Sequence, residues 1–213
     1  MTMIEVLMVL AVVLVAAAIL LPQMLGPQMS RVRATRIQCV NNLKQVGLAA
    51  RVWEGDNNDT YPMFVPGTNG GTMEFTTGTN VWRHFQVMSN ELSTPKVLFC
   101  PAESDPQRFI ATNFTWLNNS NLSFFVGIVS NEVPPQMILS GDHNLTNGTA
   151  IKNGLLQLTA SRLTGWTDEM HKKVGNVALA DGSVQQVNSA GLQNLVVTSG
   201  ASTNLLQMPV TFP

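Results

Sequence analysis

The stretch MTMIEVLMVLAVVLVAAAILLP, residues 1–22, decides how the rest of the chain is read. All but Thr2, Glu5 and Pro22 are apolar, and Val6 to Leu21 is an unbroken apolar run of 16 residues. As a helix, 22 residues span about 33 Å at 1.5 Å per residue, enough for a bilayer that needs about 20 residues. A cleaved secretory signal fits poorly. No basic residue precedes the run, and it closes on Leu20-Leu21-Pro22 rather than on a small-x-small site. A plain membrane anchor fits the hydropathy but leaves Glu5 unexplained, because a lone carboxylate in hydrocarbon costs several kcal/mol.

Beyond the run, Pro22, Gly26 and Pro27 form a helix-breaking cluster. Proline lacks the helical N–H and glycine costs about 1 kcal/mol against alanine, so the helix is expected to kink or melt over 22–28. Apolar residues then recur at three- and four-residue steps through Ile37, Val40, Leu43, Val46 and Ala50, with Arg31, Arg33, Arg36, Lys44 and Arg51 mainly off that stripe. The helix is expected to end near Trp53–Gly55, before the turn-rich GDNNDTYP.

The 213 residues carry 12 Lys and Arg against 13 Asp and Glu, a net charge of −1, and 12 % are charged. The usual share is about 25 %. With no basic excess and no interleaving of aromatics with Arg and Lys, no nucleic-acid partner is expected. The abundance of Asn, Thr, Ser and Gln suits an extracellular surface. After about 30 N-terminal residues, about 180 remain for one hydrophobic core.

From Pro62 on, strand and turn signals dominate. TNGGTMEFTTGTN reads as a loop or hairpin, 81–88 as a short helix, and TPKVLFCP (94–101) as a short strand with Cys100 at its tip. Residues 123–130, 135–142 and 154–160 read as strands of an antiparallel sheet. The clearest hairpin is 174–188, with Asp181-Gly182 as a type I′ turn. Residues 189–197 read as a short helix and 198–213 as an irregular tail.

The start Met1-Thr2-Met3-Ile4-Glu5-Val6-Leu7 resembles the mature N-terminus of type IV pilins and type II secretion pseudopilins, with Glu at the fifth position and a proline at 22. RIQCVNNLKQVGLA and HKKVGNVALADGSVQQV resemble a bacterial subgroup whose C-terminal signature is His, nine residues, Asp-Gly; His171, Asp181 and Gly182 match it. The likeness covers the first 60 residues and the C-terminal hairpin, and the middle only loosely. It departs at Met1, where the family usually has Phe. Met1 is either the first mature residue after removal of a leader or an initiator, and the positions of Glu5 and Pro22 fit the first.

The resemblance implies an α+β, pilin-like fold. Residues 1–54 form the N-terminal helix, with 1–21 as the apolar membrane and polymerisation segment. Residues 55–213 form an antiparallel-sheet domain packed on the helix's C-terminal half. It implies a structural subunit that polymerises into a helical type IV pilus-like filament, or else a secretion pseudopilin acting in protein export. A monomeric membrane-anchored binding domain or enzyme is the reading from another class. Implied partners are other copies of the chain, the membrane before assembly, a prepilin peptidase that cuts before Met1 and N-methylates it, and inner-membrane assembly machinery. The expected route runs from a single-pass inner-membrane precursor to an extracellular or periplasmic filament. Glu5 would take its registry from the N-terminal amine of a staggered neighbour, since any other stagger leaves a buried charge unpaired. Arg31, Arg33 and Arg36 oppose this orientation by the positive-inside rule, unless a basic leader shifts the balance.

Cys39 and Cys100 are either separate buried thiols or a disulfide, which needs an oxidising compartment. Cys39 lies on the helix that the sheet should cover, so the pair can meet. His143 follows Asp142, and His171 lies near Asp168 and Glu169, but none of these spacings is a catalytic or HExxH-type motif, so no enzyme is expected. His171 is expected to brace the hairpin, against Asp181. No cofactor is expected, apart from the Ca2+ in a C-terminal loop that the pseudopilin likeness allows, with Asp168, Glu169 and Asp181 as candidate oxygen ligands. Sequons at Asn58, Asn113, Asn118, Asn121, Asn144 and Asn147 are candidate glycosylation sites on an extracellular chain.

Overall fold

The computed structural model describes residues 2–25, 27–128 and 134–211, and over 21–31 the backbone alone. Helix α1 spans Met3–Leu25 and α2 spans Pro27–Asp56. Residues 22–25 and 27–28 are helical, where the sequence predicts a kink or melting. Pro22 lies inside α1, and Gly26, at the junction, lies outside the described residues. Pro27 opens α2, where its missing N–H and fixed φ cost nothing. Met1 also lies outside the described residues.

Helix α2 ends beyond Trp53, as its periodicity predicts, and buries Cys39, Leu43, Val46, Ala50 and Trp53 on one face. Each large side chain so buried contributes about 1.5–3 kcal/mol, so packing rather than propensity holds this helix to the domain. Two short helices follow, α3 at Trp82–Gln86 and α4 at Ser89–Leu92.

The strands are β1 Phe124–Ile128, β2 Ile138–Asp142, β3 Leu145–Thr146, β4 Leu155–Leu158, β5 Gly165–Trp166, β6 Val174–Leu179, β7 Val184–Asn188 and β8 Asn204–Gln207; helix α5, Ser189–Thr198, lies between β7 and β8. Six strands make one antiparallel sheet in the order β4-β8-β1-β2-β6-β7, and β3 pairs with β5 separately. The sheet is buried on both faces. Phe124, Val126 and Ala178 join the core against α2, while Phe125, Val177, Leu179 and Leu206 join a second core with Trp166 and with Leu192, Leu195 and Val196 of α5. The switch from face to face along β1 and β6 is the two-residue period of a strand.

Three local expectations need correction, and one open alternative is decided. Residues 94–101 do not form a strand: Pro95–Leu98 is a 3-10 turn, begun by a proline and by the Thr94 hydroxyl accepting the Lys96 N–H. Of the loop and the hairpin expected for TNGGTMEFTTGTN, the loop is found, with a 3-10 turn at Met73–Phe75 and no strand over 72–80. The tail is not irregular throughout, because β8 enters the sheet between β4 and β1. The β6–β7 hairpin closes on a type I turn rather than type I′. The Leu179 carbonyl accepts the Gly182 N–H at 3.0 Å, and Gly182 (φ 84°) alone in the turn is left-handed. Type I′ needs positive φ at both central residues. Asp181 instead accepts the Ser183 N–H at 2.8 Å, which holds it right-handed.

Cys39 and Cys100 form a disulfide, with a sequence separation of 61 and both side chains fully buried. A loop of that length is worth about 4 kcal/mol in the chain-entropy model. The double change Cys39→Ala with Cys100→Ala is therefore expected to lower the unfolding free energy by about 3–4 kcal/mol, measured by denaturant titration in detergent.

Candidate functional site

Two features of the folded chain call for a function. The first is α1. None of the window Met3–Leu20 is buried, and it is the one helix among the described residues long and apolar enough to cross a membrane. At 23 residues it is about 35 Å long, against about 30 Å of hydrocarbon. A signal sequence would pass the same length and composition test.

Thr2 and Glu5 start this helix as a T-x-x-E pair. The Thr2 carbonyl accepts the Glu5 N–H at 3.0 Å, and the Glu5 carboxylate accepts the Thr2 N–H at 2.7 Å. This is the return half of a capping box, and a carboxylate there also meets the positive end of the helix dipole. Glu5 thus has an intramolecular partner that the sequence reading did not foresee, although the T-x-x-E spacing carried the signal. The expected pairing with a neighbour's amine involves Met1, which lies outside the described residues.

The second feature is a buried polar cluster around the disulfide. His171 comes from the loop between β5 and β6 and is 2 % exposed. Its Nε2 lies 3.4 Å from Cys100 Sγ and 3.5 Å from Asp142 Oδ2. These contacts are with Asp142 and the disulfide, not with the expected Asp181, which sits at the hairpin tip. Asp142, at the end of β2, is fully buried; its Oδ2 accepts the Asn176 N–H at 2.8 Å and Nδ2 at 2.9 Å, while Oδ1 has no partner. Burial pushes the Asp142 carboxyl up to about 7 against the pull of the Asn176 bonds. Burial, aided by the charge of Arg36, brings the His171 ring down to about 4. Both shifts favour the neutral form, the arrangement with the least desolvation cost. Arg36 of α2 donates to the His171 carbonyl at 2.9 Å and so ties this loop to the helix. In the same loop Met170, Lys172 and Lys173 are left-handed (φ 56°, 56° and 62°), a conformation costing about 1–2 kcal/mol per residue.

Glu103 anchors the adjoining layer. Its Oε2 accepts from the Ser123 hydroxyl at 2.8 Å and faces His143 Nε2 at 2.9 Å, and its Oε1 accepts the N–H groups of Ser104 and Asp105. Burial pushes this carboxyl up, but His143, Ser123 and Asp105 outweigh it and bring it down to about 2. Arg108, 3.3 Å from Asp105, donates to the carbonyls of Asn119, Leu122 and Pro209. Its guanidinium joins the segment after Cys100 to the chain beyond β8. Glu103 and Arg108, Ser123 and Asn176 come from three separate stretches of the sequence, and no local pattern marked them.

The calcium candidates do not converge. Asp168 and Glu169 are exposed, with Asp168 3.9 Å from Lys173, while Asp181 is held by Ser183. Among the described residues the one set of three metal-type ligands within mutual reach is Cys39, Cys100 and His171. Of the sequon asparagines, Asn58, Asn113 and Asn118 are exposed. Asn121, Asn144 and Asn147 are buried, and their amides donate to Phe109, Glu169 and Gln157 carbonyls at 3.0, 2.9 and 2.7 Å, so the fold offers those three no room for a glycan.

A further buried histidine escaped the sequence reading. His84 of α3 is 1 % exposed, with Nδ1 2.7 Å from the Thr72 hydroxyl and Nε2 2.8 Å from Gln207 Oε1. Gln207 of β8 in turn donates to the carbonyls of Phe75 and Gly78. This clamp fixes the 72–80 segment to an inner strand.

No protein-family model, no curated protein and no solved structure matches the chain.

Burial brings the His84 ring from 6.5 down to about 4. The folded state resists a proton that the unfolded chain accepts, so stability falls as pH drops from 6.5 towards 4. Relative to the wild type, His84→Gln is expected to lose about 2.5 kcal/mol less between pH 7 and 4.5, measured by denaturant titrations at the two pH values.

Proposed function

We propose that this chain is a pilin-like structural subunit that polymerises through α1 into a helical type IV pilus-like filament. The observation that carries this reading is the contrast between the two long helices. Helix α2 has its apolar face covered by the sheet domain, whereas the Met3–Leu20 part of α1 presents apolar side chains all round and none of it is buried. Such a helix needs lipid or other helices.

The physics separates two stages. In a bilayer, lipid tails are as apolar as leucine, so helix association there relies on packing and polar contacts. Once α1 leaves lipid, each of its Val, Leu and Ile side chains gains about 1.5–3 kcal/mol by being covered, and neighbouring copies of α1 are the matching surface. The disulfide supports an oxidising destination for the sheet domain. A membrane stage before assembly, processing by a prepilin peptidase and handling by inner-membrane machinery belong to the same reading.

In this reading Glu5 has two roles open to it, the cap seen within the chain and registry with a neighbour's amine, and charge separates them. Glu5→Gln keeps an oxygen able to accept the Thr2 N–H but removes the charge, while Glu5→Ala removes both. Electron microscopy of material sheared from cells is expected to show long fibres of the wild-type chain, with yield falling at least about tenfold in both variants. Full fibre yield from Glu5→Gln would leave Glu5 as a cap only. Finding the wild-type chain solely as membrane-fraction monomers would overturn the filament reading.

A further inference from the structure

We propose that, before the disulfide forms, Cys39, Cys100 and His171 make a site for a thiophilic divalent cation of the zinc type. Metal binding and disulfide formation are then alternative fates of the same two sulfurs. The ligand atoms of the three residues lie within 4.8 Å of one another, and all three side chains are buried. In a tetrahedral zinc site with Zn–S of about 2.3 Å and Zn–N of about 2.05 Å, sulfur and nitrogen stand about 3.5 Å apart. Cys100 Sγ and His171 Nε2 are already at 3.4 Å. Only the two sulfurs must separate, to about 3.7 Å on the same geometry. Cys39 is fixed on α2, but Cys100 follows a 3-10 turn rather than a long helix.

A carboxylate stands beside the set. Asp142 Oδ2 is 3.5 Å from His171 Nε2 and accepts both Asn176 bonds, and its Oδ1 is buried with no partner. A buried acceptor left unpaired is costly in this fold. Two cysteines and one histidine supply three of the four ligands of a tetrahedral zinc, with the Asp142 carboxylate next to His171 at the remaining side. The balance of the two fates is simple. Binding M2+ releases one proton from each thiol. Forming the disulfide removes two electrons and two protons from the same thiols, taken up by a disulfide-bearing oxidant that becomes a dithiol. A metal-loaded pair presents no free thiolate, so it resists premature cross-linking while the chain is still in a reducing compartment.

The test uses the full chain in detergent, purified with a phosphine reductant and titrated with Co2+. The reduced chain is expected to develop a thiolate-to-cobalt charge-transfer band and tetrahedral d–d bands that saturate at one equivalent and vanish on addition of Zn2+; the oxidised chain shows neither. Cys39→Ser is expected to abolish the charge-transfer band at one equivalent. His171→Gln is expected to weaken Co2+ binding at least about tenfold, with circular dichroism unchanged. Zn2+ is expected to slow oxidation of the wild-type thiols by oxidised glutathione at least about tenfold. A reduced, folded chain that shows no band at one equivalent of Co2+ overturns the proposal. So does a His171→Gln variant with the wild-type band and affinity, and this arm keeps both sulfurs and decides even where a cysteine variant loses its fold.

Discussion

The architecture depends on how the helix that follows the apolar α1 is fastened to a sheet. Helix α2 is joined to the domain by a covalent bond at Cys39, by the Arg36 bond to the His171 carbonyl, and by a stripe of buried apolar residues between them and Trp53. These contacts act on one face of one helix. Its other face, with Ile37, Leu48 and Val52, stays exposed. The domain is thus fastened to one side of α2, with the polar cluster beneath the disulfide at that contact. His171 sits at the centre of that cluster because its ring meets a sulfur, a carboxylate and the strand end at once. An apolar side chain there would leave Asp142 with even fewer partners.

Much of this was legible in the sequence because the signals were local. The apolar run gave α1, the three- and four-residue recurrence from Ile37 to Ala50 gave the buried face of α2, and short β-rich stretches gave β1, β2, β4, β6 and β7. What escaped was set by contacts between distant residues. Strand β8 is only four residues long, and its burial depends on Gln207 reaching back to His84 and to the 75–78 carbonyls. The 94–101 segment has strand-like composition, but Pro95 and the Thr94 cap turn it into a 3-10 turn. At the hairpin, Asp181-Gly182 marked a turn correctly while its type followed from the Asp181 side chain, which prefers its own Ser183 N–H to a left-handed backbone.

The candidate site shows the same division. The His171 signature and the cysteine pair were readable, and the structure brings them together at 3.4 Å. That Asp142 faces His171, with Asn176 behind it, and that Glu103 and Arg108 fill the adjoining layer was not, because ionisable groups acquire meaning in a core only through who faces whom. Asp142 was visible beside His143, yet in the fold the two adjacent residues point to different networks, one to Asn176 and His171, the other to Glu103.

The placement of the cross-link has a mechanical side. The sheet's edge nearest α2 includes β7, paired to a single neighbour, β6. A pull on α2 borne by side-chain packing alone would reach the sheet through β2, β6 and the edge strand β7. The disulfide instead routes tension to Cys100, whose N–H is held by the Ser123 hydroxyl, while the Ser123 N–H is held by the Leu98 carbonyl, directly ahead of β1. The cross-link therefore couples α2 to the segment that leads into β1, a strand with neighbours on both sides.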